Sequence, residues 1–423
     1  MPSISSIEKV LVIGYVWPEP NSSAAGSHIL SLLRLFKAQD WQVTFATPAQ
    51  TTEHMVDLEA EGITSKEISL NCDSFDQFIQ EISPDLVVFD RFMMEEQFGW
   101  RVAKYCPDAL RVIDTEDLQS LRGAREQAIK ESRDFKEIDL LTSDLAKREI
   151  SAIYRADLAL IISDFEIALL QRLFNLPEQQ MHYTPFLLDS GRIKNPVKSY
   201  DERKHFVTIG NFRHAPNWDS VQTLRKIWPA IRQKLPEAEL HIYGSYPPKK
   251  ATQLNNDKLG FLVKGWAEDA HKVLAEAKIC LAPLRFGAGI KGKLVDSMLA
   301  GTPSITTTIG AEGICSALKW PGKVVDSEKQ FVEQAIALYN NEIQWTNAQQ
   351  RIAELLSQRF DSSIHGSALI ERLNRHKAEI STIRQKNFIG SMLNFHSLRS
   401  TEFMSRWIEC KTRLQSFQKE ADS

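Results

Sequence analysis

Residues 279–314 carry the densest chemistry in the chain: ICLAPLRFGAGIKGKLVDSMLAGTPSITTTIGAEGI. The opening run reads as a buried strand, and Gly287, Ala288 and Gly289 then make a small-residue loop. A helix is expected next, opening at Ile290-Lys291-Gly292-Lys293. Free N–H groups at such a helix start, and the positive end of its dipole, suit a phosphate. Lys291 and Lys293 add two cations beside that loop, and Asp296 on the same helix is able to accept hydrogen bonds from sugar hydroxyls. Gly301-Thr302-Pro303 stops the helix. A second strand then leads to another loop, Gly310-Ala311-Glu312-Gly313.

A second grouping is acidic. Asp114, Glu116 and Asp117 follow the short apolar run 111–113, and Asp90 follows the run 85–89. Acids at a helix start complement its dipole, which accounts for one or two of them. Three together, with Asp90 after a neighbouring strand, point to a cleft. The loop 15–26 holds Asn21, Ser22, Ser23 and Gly26 and follows the first apolar run, 10–14. It is either a plain connector or a ligand-facing loop.

These groups need a frame, and the chain supplies an alternating one. Strands are expected at 10–14, 42–47, 85–89, 111–113 and 157–162, with helices at 27–38, 73–82 and 97–105 and another carrying Arg122 and Arg125. Such βαβα alternation implies a parallel sheet with helices on both faces. No GxGxxG follows the first strand, so a dinucleotide fingerprint is missing. The polar, aperiodic stretch 189–204 reads as a linker. A second alternation begins after it, with strands at 205–209, 240–243 and 260–263 and helices at 218–234 and 269–277. From residue 328 the pattern is helical. The tail 383–420 mixes apolar and basic residues, which fits a helix packed across both domains or an amphipathic surface helix touching anionic lipid.

Composition narrows the classes. The chain has 423 residues, 43% of them hydrophobic and 25% charged, with a formal net charge of −3. That length suits two domains, and that charge leaves no electrostatic footprint for nucleic acid. The cysteines Cys72, Cys106, Cys280, Cys315 and Cys410 form no CxxC pair. They read mostly as small buried hydrophobes in a reducing compartment. No basic-then-apolar leader opens the sequence and no apolar run is long enough to span a bilayer, so a cytoplasmic location is expected.

Four stretches together resemble a known family. They are Phe206-Val207-Thr208-Ile209-Gly210-Asn211-Phe212, Leu240-His241-Ile242-Tyr243-Gly244, Val263-Lys264-Gly265-Trp266 and the block 283–313. In order and spacing they resemble the GT-B glycosyltransferases of the family-4 type. The resemblance implies an α/β fold of two Rossmann-like domains facing across a cleft. Residues 1–188 would form the acceptor side, 189–204 the linker, 205–360 the donor side, and 361–423 C-terminal helices packing back across the domains. It implies transfer of a sugar from a nucleoside-diphosphate sugar to a glycan, glycolipid or other hydroxyl acceptor, with anomeric retention. With no Asp-x-Asp motif at an obvious strand end, neither a metal nor a cofactor is expected.

The resemblance also places roles. Arg213, Lys291 and Lys293 are candidates to neutralise the diphosphate, with Gly287 and Gly289 as its loop. Asp296 holds the position of the second acid in the family's paired-Glu motif, for the ribose. The first acid would lie eight residues earlier, where this chain has Ala288. Glu312 or the acids 114–117 would then contact the sugar. The family's His-Asp dipeptide falls at Glu116-Asp117, with no His, so Asp114, Glu116 and Asp117 are the catalytic candidates. Asn21, Ser22, Gly26 and Asp90 are candidates for the acceptor side of the cleft. The rival readings are a GT-B UDP-sugar epimerase and a catalytically silent GT-B scaffold. Contact with a membrane surface is a further expectation.

Overall fold

The computed structural model describes residues 6–189, 191 and 197–421. Most of the expected linker, 190 and 192–196, lies outside the described residues.

Two all-parallel sheets organise the chain. The first has the order β3-β2-β1-β4-β5-β6-β7, from β1 (Lys9–Ile13), β2 (Gln42–Thr47), β3 (Thr64–Glu67), β4 (Leu86–Asp90), β5 (Leu110–Asp114), β6 (Leu158–Ile161) and β7 (Met181–Tyr183). The second has the order β10-β9-β8-β11-β12-β13, from β8 (Lys204–Ile209), β9 (Leu240–Tyr243), β10 (Phe261–Gly265), β11 (Ala277–Ala282), β12 (Ser304–Thr306) and β13 (Gly322–Val324). The central strands are apolar and buried on both faces: Val10, Leu11, Val12, Ile13, Val87, Val88, Ile279 and Leu281 are all fully buried. That pattern belongs to a parallel sheet covered by helices on both sides.

In each sheet the strand order reverses once, between β1 and β4 and between β8 and β11. Ligands bind open α/β sheets at the C-terminal ends of strands flanking such a point. In the first sheet those ends lead to the loop after Ile13 and to Asp90. In the second they lead to Gly210 and to the 283–291 loop.

Several element starts differ from the sequence expectation. The first helix is Ala24–Lys37 and begins three residues before position 27, because Ser23 caps it by accepting the Gly26 N–H at 3.0 Å. The helix after β4 is Phe92–Tyr105 and begins directly after Arg91, which takes φ 71°. The helix Asp144–Arg155 was not anticipated. After Phe360 the chain crosses back: Leu188 donates to Phe360 O at 2.8 Å and Ser362 donates to Leu188 O at 2.9 Å. The helices Ser362–Ala378, Ile380–Lys386 and Phe388–Ala421 then lie on the first-sheet half. Lys377 Nζ donates to Asp85 O at 3.2 Å and Asp108 O at 3.0 Å, and Arg384 grips Asp157 at 2.8 and 2.7 Å. The tail therefore packs on one half rather than across both.

Candidate active site

A cleft of about 1660 Å³ lies between the two halves. Small-molecule pockets are typically ~300–1,000 Å³, so this one has room for two substrates side by side. Asn21, Ser22, Glu116, Asp117, Arg213, Gly287, Lys291, Lys293 and Asp296 all line it. The sequence motifs from both halves thus meet at one place.

On the second-sheet wall, β11 delivers the 283–291 loop and the helix Gly292–Leu299 begins with Lys291 at its N-cap. Gly289 takes φ 60°, and a Cβ there would sit 2.8 Å from Asp117 Cβ across the cleft. A side chain at this position is therefore excluded twice, by conformation and by contact. Burial lowers both lysines to about 8; for Lys291, Glu312 opposes the shift and Arg125 adds to it. Lys291 Nζ donates to Gly289 O at 2.8 Å and stands 4.0 Å from Glu312. Arg213 lies over the Tyr246 ring at 3.6 Å, at the end of the wall formed by β8 and β9.

The first-sheet wall holds a residue that the sequence reading missed. His28, on the helix Ala24–Lys37, is 1% exposed and its Nε2 is 3.3 Å from Asp114 Oδ2. Burial works against charge on this imidazole, but the contact with Asp114, with Glu116 and Asp90 adding to it, lifts it to about 9. A histidine does stand opposite the acids, but it comes from the first helix and not from the strand-end dipeptide. In sequence it was one more position on a helix whose Ile29, Leu32, Leu33 and Phe36 mark the core face. Nothing local distinguished it.

The acids separate by environment. Asp114 and Asp90 sit behind the cleft wall, and Asp90 Oδ2 accepts the Tyr15 N–H at 2.9 Å. Burial raises Asp90, against the pull of Arg91. Glu116 takes φ 59° and burial pushes it well above the usual carboxylate range, against the pull of His28. Asp117 pairs with Arg122 at 3.0 Å, and Arg122 reaches His214 of the facing half at 2.8 Å. Ser22 Oγ, His28 Nδ1 and Glu166 Oε2 are buried here without a protein hydrogen-bond partner, while His28 Nε2 and Asp114 Oδ2 have only each other, at 3.3 Å. Of these, Ser22 and His28 line the cleft and are open to a ligand there.

Three expected contacts are used otherwise. Glu312 forms a two-pronged pair with Arg125 of the opposite half, at 2.7 and 2.8 Å, and Arg125 also donates to Gly287 O at 2.8 Å. The Gly289 N–H, expected to face a diphosphate, donates to Glu166 Oε1 at 2.8 Å. Glu166 also accepts the Leu118 N–H at 3.1 Å, and burial together with Asp117 raises it to about 7. Gly26 does not reach the cleft; a Cβ there would lie 2.5 Å from the Glu19 backbone, so this glycine serves packing. Among the described residues, one group of three possible metal ligands occurs, His205, Glu239 and His241. It lies toward the opposite, N-terminal ends of β8 and β9.

Comparison with known proteins agrees with this geometry. Residues 203–341 match the family described as Glycosyl transferases group 1. No curated protein sequence matches the chain. Sucrose-phosphate synthase from Thermosynechococcus elongatus is similar in structure, with a TM-score of 0.64 and 16% identity over 87% of this chain and 98% of its own. HepE from Anabaena, solved with UDP and glucose, has a TM-score of 0.65 and 14% identity over 87% and 100%. A variant of TarM from S. aureus, solved with Fondaparinux, alpha-GlcNAc-glycerol and UDP, has a TM-score of 0.67 and 9% identity over 87% and 100%. At these identities the likeness is one of fold, and the fold of this chain is GT-B. Residues 203–341 thus carry the match to glycosyl transferases group 1, within a chain whose two halves have the GT-B fold.

Proposed function

We propose that the protein moves a sugar from a nucleoside-diphosphate sugar to a hydroxyl of a glycan or lipid-linked acceptor. In this reading transfer retains anomeric configuration, needs no metal, and takes place on the cytoplasmic side. The observation that carries it is the meeting of two unlike walls in one cleft. The loop 287–291 with Lys291 and Lys293 faces His28 and Glu116, and Asp114 backs His28 from behind the wall.

In this arrangement Lys291, Lys293 and the start of the helix Gly292–Leu299 hold the diphosphate, and Asp296 holds the ribose. Breaking the bond from the anomeric carbon sends an electron pair to the leaving diphosphate oxygen. Fixed ammonium groups aimed there stabilise that charge more in the transition state than in the ground state. The acceptor oxygen bonds to the anomeric carbon from the same face, and its proton passes to the departing diphosphate oxygen. His28, kept protonated by Asp114, donates to a sugar hydroxyl in place of the acid missing at Ala288. Glu116, pushed well above the usual carboxylate range by burial, stands beside His28 on the same wall. Asp117, oriented by Arg122, is the carboxylate left to face the acceptor hydroxyl. Diphosphate entry requires Glu166 to release the Gly289 N–H.

The test is a thermal-shift screen over nucleoside-diphosphate sugars, followed by assay of free nucleoside diphosphate with and without candidate acceptors. Acceptor-dependent release of the diphosphate supports the proposal. Release of an epimerised sugar without acceptor points to an epimerase. No binding of any nucleoside diphosphate leaves the silent scaffold, a reading that Glu166 on the Gly289 N–H favours.

A further inference from the structure

The C-terminal helix Phe388–Ala421 is 34 residues long, about 51 Å at 1.5 Å per residue. One side is fastened to the body. Gly390 and Leu398 are buried, Ser397 Oγ accepts from Arg155 at 3.3 Å, and Ser405, 3% exposed, accepts from Arg101 at 3.3 Å. At 3.6 residues per turn the opposite side falls within an arc of roughly 120°. It presents Phe388, Met392, Phe395, Phe403, Trp407 and Phe417, all between 47% and 75% exposed. Its five aromatic rings alone leave on the order of 650 Å² uncovered, taking ~200 Å² for each whole side chain. That exceeds the largest apolar patch of an ordinary monomer, roughly 300–600 Å².

Charge decides what covers it. Arg399 is exposed near the middle of the stripe and Lys411 flanks it; they lie against the Phe395 and Trp407 rings at 4.4 and 5.1 Å. The helix's two acids with described side chains turn to the other flank. Glu402 is paired with Lys104 at 3.0 Å and Arg406 at 3.1 Å, and Glu409 with Arg413 at 2.8 Å. The apolar face therefore carries cations with no acid among them, on a chain whose net charge is −3. Against a second copy of the same face, Arg399 would be buried without a counter-charge, which is costly. Against a bilayer its stem lies among the rings while the guanidinium reaches anionic headgroups. Among the described residues no helix is long and apolar enough to cross a membrane, so this one lies on it.

We propose that the exposed face of Phe388–Ala421 docks the protein onto an anionic lipid surface. The helix packs on the first-sheet half, so docking holds that wall of the cleft to the membrane. The proposal rests on the helix alone and stands or falls independently of the transfer reaction.

The test uses the full chain and vesicles of phosphatidylcholine with or without phosphatidylglycerol, read by co-flotation. Binding is expected only to vesicles containing phosphatidylglycerol, and it should weaken as salt is raised. The double change Arg399→Glu/Lys411→Glu should weaken it by at least about thirtyfold, from ~1 kcal/mol per cation near the surface. Phe403→Glu/Trp407→Glu should abolish it, while both variants keep wild-type nucleotide binding and melting temperature. No vesicle binding, or equal binding to both vesicle types, would overturn the proposal. So would a dimer in solution that Phe403→Glu/Trp407→Glu converts to monomer.

Discussion

Affinity for a nucleoside diphosphate is expected to be flat near neutral pH and to fall as pH rises through about 8. Both lysines beside the 287–291 loop are lowered to about 8, chiefly by burial. A bound diphosphate favours their ammonium forms. Below 8 those forms are already present, so binding takes up no proton and affinity does not change. Above 8 the free protein has lost them, and binding must restore them. Each lysine needed by the ligand then costs about tenfold in affinity per pH unit, or about 1.4 kcal/mol. If both are needed the loss is about a hundredfold per unit. Isothermal titration with UDP and GDP, between about pH 7 and about pH 9.5, measures the slope directly. Lys291→Ala and Lys293→Ala should each flatten it by one proton. Each should also weaken binding at neutral pH by roughly 1.5–3 kcal/mol, the worth of a hydrogen bond to a charged group. Equal affinity at both ends of the range, or unchanged affinity in the double variant, would refute the placement of the diphosphate on this loop.

Two further outcomes follow from the cross-cleft contacts and a third from the first-sheet wall. Arg125→Met leaves the mostly buried Glu312 carboxylate with Lys291 alone, 4.0 Å away, so stability should drop, by at most about 3–5 kcal/mol, read by urea unfolding. Arg125→Met/Glu312→Leu should recover most of that loss. Glu166→Gln removes a carboxylate that competes with phosphate for the Gly289 N–H; UDP should bind more tightly, by at least about threefold, since like charges at close range repel. Weaker binding instead would mean that Glu166 builds the site rather than blocks it. His28 is raised to about 9 from an ordinary 6.5. Its pairing with Asp114 therefore adds stability that is fully present below pH 6.5 and is lost as pH rises through 9, on the order of 3 kcal/mol. His28→Gln should be much less stable than wild type at pH 6, and the gap should close above pH 9.

Local signals carried much of the frame. The apolar run 10–14 was legible because a strand buried on both faces must be apolar throughout, and 240–243 was legible by its alternation of buried Leu240 and Ile242 with half-buried His241 and Tyr243. The helix before Gly301 was legible because Thr302-Pro303 cannot continue it. Starts were harder. Ser23 caps the first helix from inside what read as a loop, and Arg91 begins a helix with a backbone angle that no composition signals. In the tail the mixture of apolar and basic residues was plain. Its division into a fastened side and an open side required the partners Arg101, Arg155 and Lys104.

The block 279–314 reads as a phosphate-binding loop from sequence alone, because glycine freedom, lysine charge and a helix start are properties of neighbouring residues. Asp296 and the acids 114–117 were visible for the same reason. The partners of those groups were not. His28 meets Asp114 only because β1, β4 and β5 lie side by side and bring the first helix beside the end of β5. Arg125 takes Glu312, and Glu166 takes the Gly289 N–H, only because two sheets face each other across more than a hundred residues of chain. Short-range chemistry follows from residue order, whereas the pairing of distant charges depends on which strand ends the fold brings together.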